Sequence, residues 1–148
     1  MTYNVFSGTL NPTHCHCVPH LTATRGNVVN VSSLNGSRSF PGKLAYNMSK
    51  AAINQMTRCT ALELASKGIR VNSVNPGIIV TEIHKRAGIS DDEYAKSLER
   101  HKTTHPLGRV GDVEEVARAI TFLASGSASF ITGAHLHVDG GRHATCFC

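Results

Sequence analysis

Hydrophobic and polar positions change their spacing several times along the chain, and each change marks an element. Asn27-Val28-Val29-Asn30-Val31-Ser32 is a β-branched run opening after Gly26, which predicts a strand. A loop rich in turn formers follows, with Gly36, Ser37, Ser39, Pro41 and Gly42. From about Leu44 to Ser66 there is neither Pro nor Gly, and Gly68 stands where a helix would end. Ile69 to Val74 reads as a second strand, stopped by Asn75-Pro76-Gly77. A helix is predicted around Ser90 to Arg100, within a mixed stretch from 78 to 111. Asp112 with Glu115 three residues on opens another helix, to about Ala124, as an N-cap with its capping-box partner. His135-Leu136-His137-Val138 is a last short strand before Asp139-Gly140-Gly141. Residues 1 to 26 show no clear periodicity.

Alternating strands and helices predict the α/β class, with a parallel sheet between helical layers. The long helix adds a further expectation. Between Ala45 and Ala65 only Lys50, Arg58 and Glu63 are charged, while Met48, Ile53, Met56, Leu62 and Leu64 point in several directions. A helix apolar most of the way round needs cover on two sides. One side is the sheet, and the other is expected to be a second subunit, giving a homo-oligomer through residues 45–66.

Composition narrows the class. The chain has 148 residues, 41% apolar and 17% charged, which suits one globular domain and excludes a disordered or collagen-like chain. Aromatic residues make up only 5%, against a module built on base stacking. The net charge is +5, but Arg25, Arg38, Lys43, Lys50, Arg58, Lys67 and Arg70 form no stripe, so no nucleic-acid partner is expected. No apolar run approaches the roughly 20 residues of a membrane span, and residues 1–10 lack the basic and apolar regions of a secretory signal. A cytoplasmic protein without a membrane partner is the expectation. The five cysteines are then expected to be reduced. His14-Cys15-His16-Cys17 and His143, Cys146, Cys148 suggest metal binding, but their cysteines are spaced by a single residue, too close for converging thiolates. No metal site is expected.

Chemistry is suggested by Tyr46 and Lys50, four apart and therefore on one helix face. A cation close to a phenol stabilises the phenolate, which suits acid–base work. Ser32 and Ser33 leave the end of the first strand, the side on which open parallel sheets bind ligands. A hydroxyl there can hydrogen-bond a substrate oxygen as charge builds on it.

In order along the chain stand Asn30-Val31-Ser32-Ser33, then Tyr46-Asn47-Met48-Ser49-Lys50-Ala51-Ala52, then Arg70-Val71-Asn72-Ser73-Val74-Asn75-Pro76-Gly77, and Val138-Asp139-Gly140-Gly141. This succession resembles the short-chain dehydrogenase/reductase family over about Pro19 to Gly141, and within it the 3-oxoacyl-acyl-carrier-protein reductase-like branch. The resemblance implies a Rossmann-like, three-layer, doubly wound parallel sheet, represented here by its C-terminal strands and helices. Residues 1–18 lie outside the match, and 19–148 form the partial domain. It implies NAD- or NADP-dependent hydride transfer on a small carbonyl or alcohol. Tyr46 would be the proton donor or acceptor, Ser33 would hold the same substrate oxygen, and Lys50 would assist Tyr46 and bind the nicotinamide ribose. Pro76 and Gly77 would line the nicotinamide, the backbone of Ile79 would meet its carboxamide, and Thr81 would approach the diphosphate. Residues 82–106 would form a substrate lid, on which His84, Lys85 and Arg86 are candidates for an acidic substrate. The family's glycine-rich phosphate turn and the residue selecting NAD or NADP have no counterpart in this sequence. The alternative reading is therefore a catalytically idle member that pairs with other subunits.

Overall fold

A computed structural model of the chain describes residues 12–83 and 88–146. Helix α1 spans Pro12–Thr24, strand β1 Asn27–Val31, helix α2 Leu44–Leu64 and strand β2 Arg70–Pro76. Helices α3 (Asp91–Lys102) and α4 (Val113–Ala124) precede strand β3, His135–Val138. The three strands form a parallel sheet in the order β1-β2-β3, with Val28 opposite Val71 and Val74 opposite Leu136.

Pleating sends alternate side chains to opposite faces, and the core divides accordingly. On one face Ile69 and Val71 join Ala61 and Leu64 of α2, with Val18 and Leu21 of α1 and Val28 packed on them. On the other, Val74 joins Leu123 of α4 and Ala128, with Val29, Ile120, Ile131 and Leu136 around them. Helices thus cover both faces, the three-layer α/β arrangement expected from the sequence. Among the described residues β1 has no strand on its outer edge, and its last residue, Val31, is 52% exposed.

Most boundaries move by a residue or two. Helix α2 ends at Leu64, tightens into one 3-10 turn over Ala65–Lys67, and stops at Gly68, whose φ of 72° places it in the left-handed region. The second strand begins one residue later than expected and runs on through Pro76. Glu115 makes its half of the predicted capping box, its carboxylate accepting from the Asp112 backbone N–H at 2.9 Å. Ser90 caps α3 in the same manner, in a box with Glu93.

The larger difference is α1, in a stretch where the sequence shows no period. It holds because Val18 and Leu21 reach the core, although Pro19 interrupts the hydrogen-bond ladder inside it. Residues 1–11, 84–87 and 147–148 lie outside the described residues, and with them His84, Lys85, Arg86 and Cys148.

Candidate active site

Three segments meet at the C-terminal ends of β1 and β2. Ser33 is buried and extended, and it caps the 3-10 turn Leu34–Gly36, its Oγ accepting from the Asn35 backbone N–H at 3.1 Å. Tyr46 and Lys50 stand one turn apart on α2. The Lys50 Nζ donates to the Val31 carbonyl at 3.1 Å and lies 5.7 Å from the centroid of the Tyr46 ring. Ser32 Oγ donates back to the Lys50 carbonyl at 3.2 Å, tying the strand end to the helix. Tyr46 itself is 47% exposed, and its hydroxyl has no hydrogen-bond partner among the described residues. The phenol is therefore open to an incoming group, with an ammonium held beside its ring.

Beneath this surface lies a buried polar network that sequence reading missed. Asn75, fully buried, donates through Nδ2 to the Ser33 carbonyl at 3.1 Å and to Asn54 Oδ1 at 3.2 Å. Its Oδ1 accepts from Ser73 Oγ at 2.9 Å. Asn54 of α2 in turn donates to Ser37 Oγ at 3.3 Å. Nearer solvent, Asn35 Nδ2 donates to Asn47 Oδ1 at 2.7 Å, and Asn47 Nδ2 to the Phe40 carbonyl at 3.0 Å. These amides lock the loop carrying Ser33 to the helix carrying Tyr46. Neutral side chains in a water-poor interior hold such a loop well only when each polar atom is satisfied.

Gly36 is part of the same fit. A Cβ there would stand 2.7 Å from the Lys50 carbonyl oxygen and 2.6 Å from Asn54 Nδ2. The backbone oxygen cannot step aside, so Gly36→Ala is expected to push the Ser33 loop off α2 and cost about 1–3 kcal/mol. The midpoint of urea unfolding, compared with the parent chain, measures that loss.

The segment after β2 is pinned at several points. Gly77 N–H donates to the Val138 carbonyl at 3.0 Å. Val80 N–H donates to the Gly111 carbonyl and Gly111 N–H to the Ile78 carbonyl, at 3.0 and 2.9 Å, so that Ile79 forms a parallel bridge with Gly111. Neither the N–H nor the carbonyl of Ile79 enters that bridge; both face away from it. The buried His105 Nε2 accepts from Ile78 N–H at 3.3 Å, and its Nδ1 is 2.7 Å from the His101 carbonyl. That pair of contacts requires the neutral ring with its proton on Nδ1. Thr81 N–H donates to the Tyr94 hydroxyl at 3.3 Å, which joins this segment to α3.

A family model described as enoyl-(acyl carrier protein) reductase matches residues 4–143. The chain belongs to the short-chain dehydrogenase/reductase family. It is 42% identical over 142 residues to the 3-oxoacyl-[acyl-carrier-protein] reductase FabG of Chlamydia muridarum (strain MoPn / Nigg), covering 94% of this chain and 51% of that protein. A short-chain dehydrogenase/reductase of unknown function from Caenorhabditis elegans, solved with cofactor, superposes with a TM-score of 0.81 at 40% identity, over 86% of this chain and 49% of the other. The structure of ElxO with NADP bound gives 0.79 at 35% identity, over 88% and 52%. The chain spans about half the length of the relatives it matches.

Within this short-chain dehydrogenase/reductase half, the positions singled out from the sequence divide into two groups. Ser33, Tyr46 and Lys50 sit on the β1 end and α2, whereas Pro76, Gly77, Ile79 and Thr81 follow β2. The Asn75 bond to the Ser33 carbonyl joins the groups. Among the described residues no set of three or more His, Cys, Asp or Glu side chains is arranged to hold a metal ion, and no helix is long and apolar enough to cross a membrane. Asp139 of the Val-Asp-Gly-Gly run caps the C-terminal turn, accepting from the N–H of Gly141 and from both the N–H and the ring of His143. Burial pushes its carboxyl up, yet the His143 and Gly141 donors outweigh this and hold it below the ordinary carboxylate range.

Proposed function

We propose that the chain carries the catalytic half of an NAD(P)-dependent oxidoreductase acting on a small carbonyl or alcohol. The observation that supports this best is the joint placement of Lys50 against the Tyr46 ring with the Tyr46 hydroxyl left unpaired. Tyr46 gives the proton to the substrate oxygen in reduction and takes it back in oxidation. Ser33 holds that oxygen with its hydroxyl, and the Asn75–Asn54–Ser37 network keeps the serine in place. The Lys50 ammonium supplies positive charge beside the phenol and a donor for a ribose hydroxyl.

The residues present suit the nicotinamide end of such a cofactor. Ile79 keeps an unused N–H and carbonyl side by side, the donor–acceptor pair that a carboxamide requires. Gly77 leaves the room: a Cβ on it would meet His105 and Asp139 at about 3 Å, so the backbone there is held in one tight path. Tyr46, Lys50, Pro76, Gly77, Ile79 and Thr81 would hold the group, and the bound cofactor supplies or accepts the hydride. NADP in the ElxO structure fits this reading; the choice between NAD and NADP rests on residues that this half lacks.

Helix α2 also supports pairing with a second copy. Leu44, Met48 and Leu62 on it are 76%, 63% and 80% exposed, an apolar surface that association would remove from water.

Fluorescence titration with NADPH and NADH tests the function. Saturable binding in the micromolar range, with turnover of a carbonyl compound, is the expected result. The absence of saturable binding by either nucleotide overturns it in favour of an idle pairing partner.

A further inference from the structure

A chain of hydrogen bonds runs from the surface of α2 through β3 and β2 to Ser33, and both of its ends have fixed roles. At the outer end the exposed Arg58 can only donate. Gln55 Oε1 accepts from its Nε at 3.2 Å and from one Nη at 2.6 Å, and the other Nη lies 2.7 Å from Nε2 of His135. At the inner end the Ser33 carbonyl can only accept, and the buried Asn75 faces it with Nδ2 at 3.1 Å. Between the two, His135 Nδ1 lies 2.7 Å from the buried Ser73 Oγ, which lies 2.9 Å from Asn75 Oδ1.

A single arrangement of protons satisfies every link. Because Nδ2 of Asn75 serves the Ser33 carbonyl, its Oδ1 faces Ser73, and an amide oxygen only accepts. The Ser73 hydroxyl therefore gives its one proton to Asn75 and offers a lone pair to His135. Nδ1 of His135 then carries the ring proton, and Nε2 is the bare nitrogen that a guanidinium needs. The Arg58 N–H demands the same tautomer from its own side. Burial first, then the charges of Arg58 and His137, hold the His135 titration below the ordinary histidine range, so the ring is neutral at neutral pH.

We infer that Arg58 and His135 are positioning residues for Ser33: the surface guanidinium selects the His135 tautomer, and that tautomer directs Ser73 and Asn75 onto the Ser33 loop. The catalytic consequence rests on the oxidoreductase reading, in which Ser33 holds a substrate oxygen, whereas the relay itself does not. A bare Nδ1 would compete with Asn75 for the Ser73 proton. Asn75 Oδ1 would then lack a donor in a region closed to water, and its amide would lose its hold on the Ser33 carbonyl. Ser33 is not among the residues that would hold the nucleotide, so the loss falls on kcat.

NMR of the ring nitrogens in the whole chain at neutral pH tests the relay without cofactor or turnover, with His135 assigned by its absence from His135→Asn. The parent should show a protonated Nδ1 and a bare Nε2, and Arg58→Met, which has no donor, the opposite tautomer. A parent ring protonated on Nε2 overturns the relay, and an unchanged tautomer in Arg58→Met overturns its selection by Arg58. His135→Asn and His135→Asp then separate direction from packing. Both side chains reach where Nδ1 stands, but only the amide can donate to Ser73, and the carboxylate draws the Ser73 proton away from Asn75. Carbonyl turnover in His135→Asn should stay close to the parent. In His135→Asp kcat should fall about 2- to 10-fold, the weight of one ordinary hydrogen bond, with nucleotide affinity unchanged. Amide exchange makes the same comparison without turnover. Gly36 N–H, which donates to the Ser33 carbonyl at 3.0 Å, should exchange faster in His135→Asp than in His135→Asn, while exchange across α4 stays equal. Equal Gly36 exchange, or equal kcat in an active chain, overturns the positioning role. Should His135→Asp fail to fold, the parent and Arg58→Met spectra decide the matter. A relay intact by NMR in a chain that binds no nicotinamide nucleotide refutes the oxidoreductase reading alone, and turnover with Nε2 protonated refutes the relay alone.

Discussion

Replacing Tyr46 by Phe is expected to lower carbonyl turnover by about 10²- to 10⁴-fold, the usual contribution of a positioned acid–base group. That corresponds to roughly 3–5 kcal/mol of transition-state stabilisation. The phenol is half exposed, makes no hydrogen bond among the described residues, and packs its ring near the Lys50 ammonium. Removing one oxygen therefore leaves the packing and the hydrogen bonds of the helix in place, and only the exchangeable proton is lost. Nucleotide binding, read by fluorescence, should stay within a few-fold of the parent chain. Lys50→Ala should behave differently, lowering both rate and nucleotide affinity, because its Nζ also fastens the Val31 carbonyl at the end of β1. Undiminished turnover in Tyr46→Phe would take the phenol out of the mechanism. Lost nucleotide binding in that variant would assign it to cofactor placement.

Much of the frame was legible because its signals are local. The β-branched run at Val28, Val29 and Val31 became β1, Gly68 ended α2 in a left-handed turn, and Glu115 made its capping bond. The catalytic candidates were legible because their spacing along one helix puts Tyr46 and Lys50 on one face, whatever the rest of the fold does. What stayed hidden depends on distant partners. Helix α1 has little pattern of its own and is held by Val18 and Leu21 against α2 and β2. Strand β2 does not alternate: Asn72, Ser73 and Asn75 are as buried as Val71 and Val74. Asn and Ser ordinarily mark turns, so their role here could not be read from composition. Asn72 pays its way by donating to the Ile131 carbonyl and accepting from Ala134 N–H, partners about sixty positions downstream.

Asn75→Leu should accordingly be among the most damaging single changes in the chain. Leucine keeps the branched heavy-atom skeleton, with bulkier methyl groups at its ends, but supplies neither donor nor acceptor. The Ser33 carbonyl, Asn54 Oδ1 and the Ser73 hydroxyl would each lose a partner in a region closed to water. An unsatisfied buried group costs about 1–3 kcal/mol, and relaxation will recover part of the total, so a net loss of about 3–5 kcal/mol is expected in chemical denaturation. Asn75→Asp separates packing from hydrogen bonding. It keeps the Oδ1 that accepts from Ser73 but loses the NH₂ and buries a negative charge facing the Ser33 carbonyl and Asn54 Oδ1. Its stability should therefore fall as the pH rises through the titration of the new carboxyl, whereas the Asn75→Leu loss should be independent of pH. Equal, pH-independent losses in both variants would mean that the pocket's shape, and not its hydrogen bonds, holds the serine against the helix.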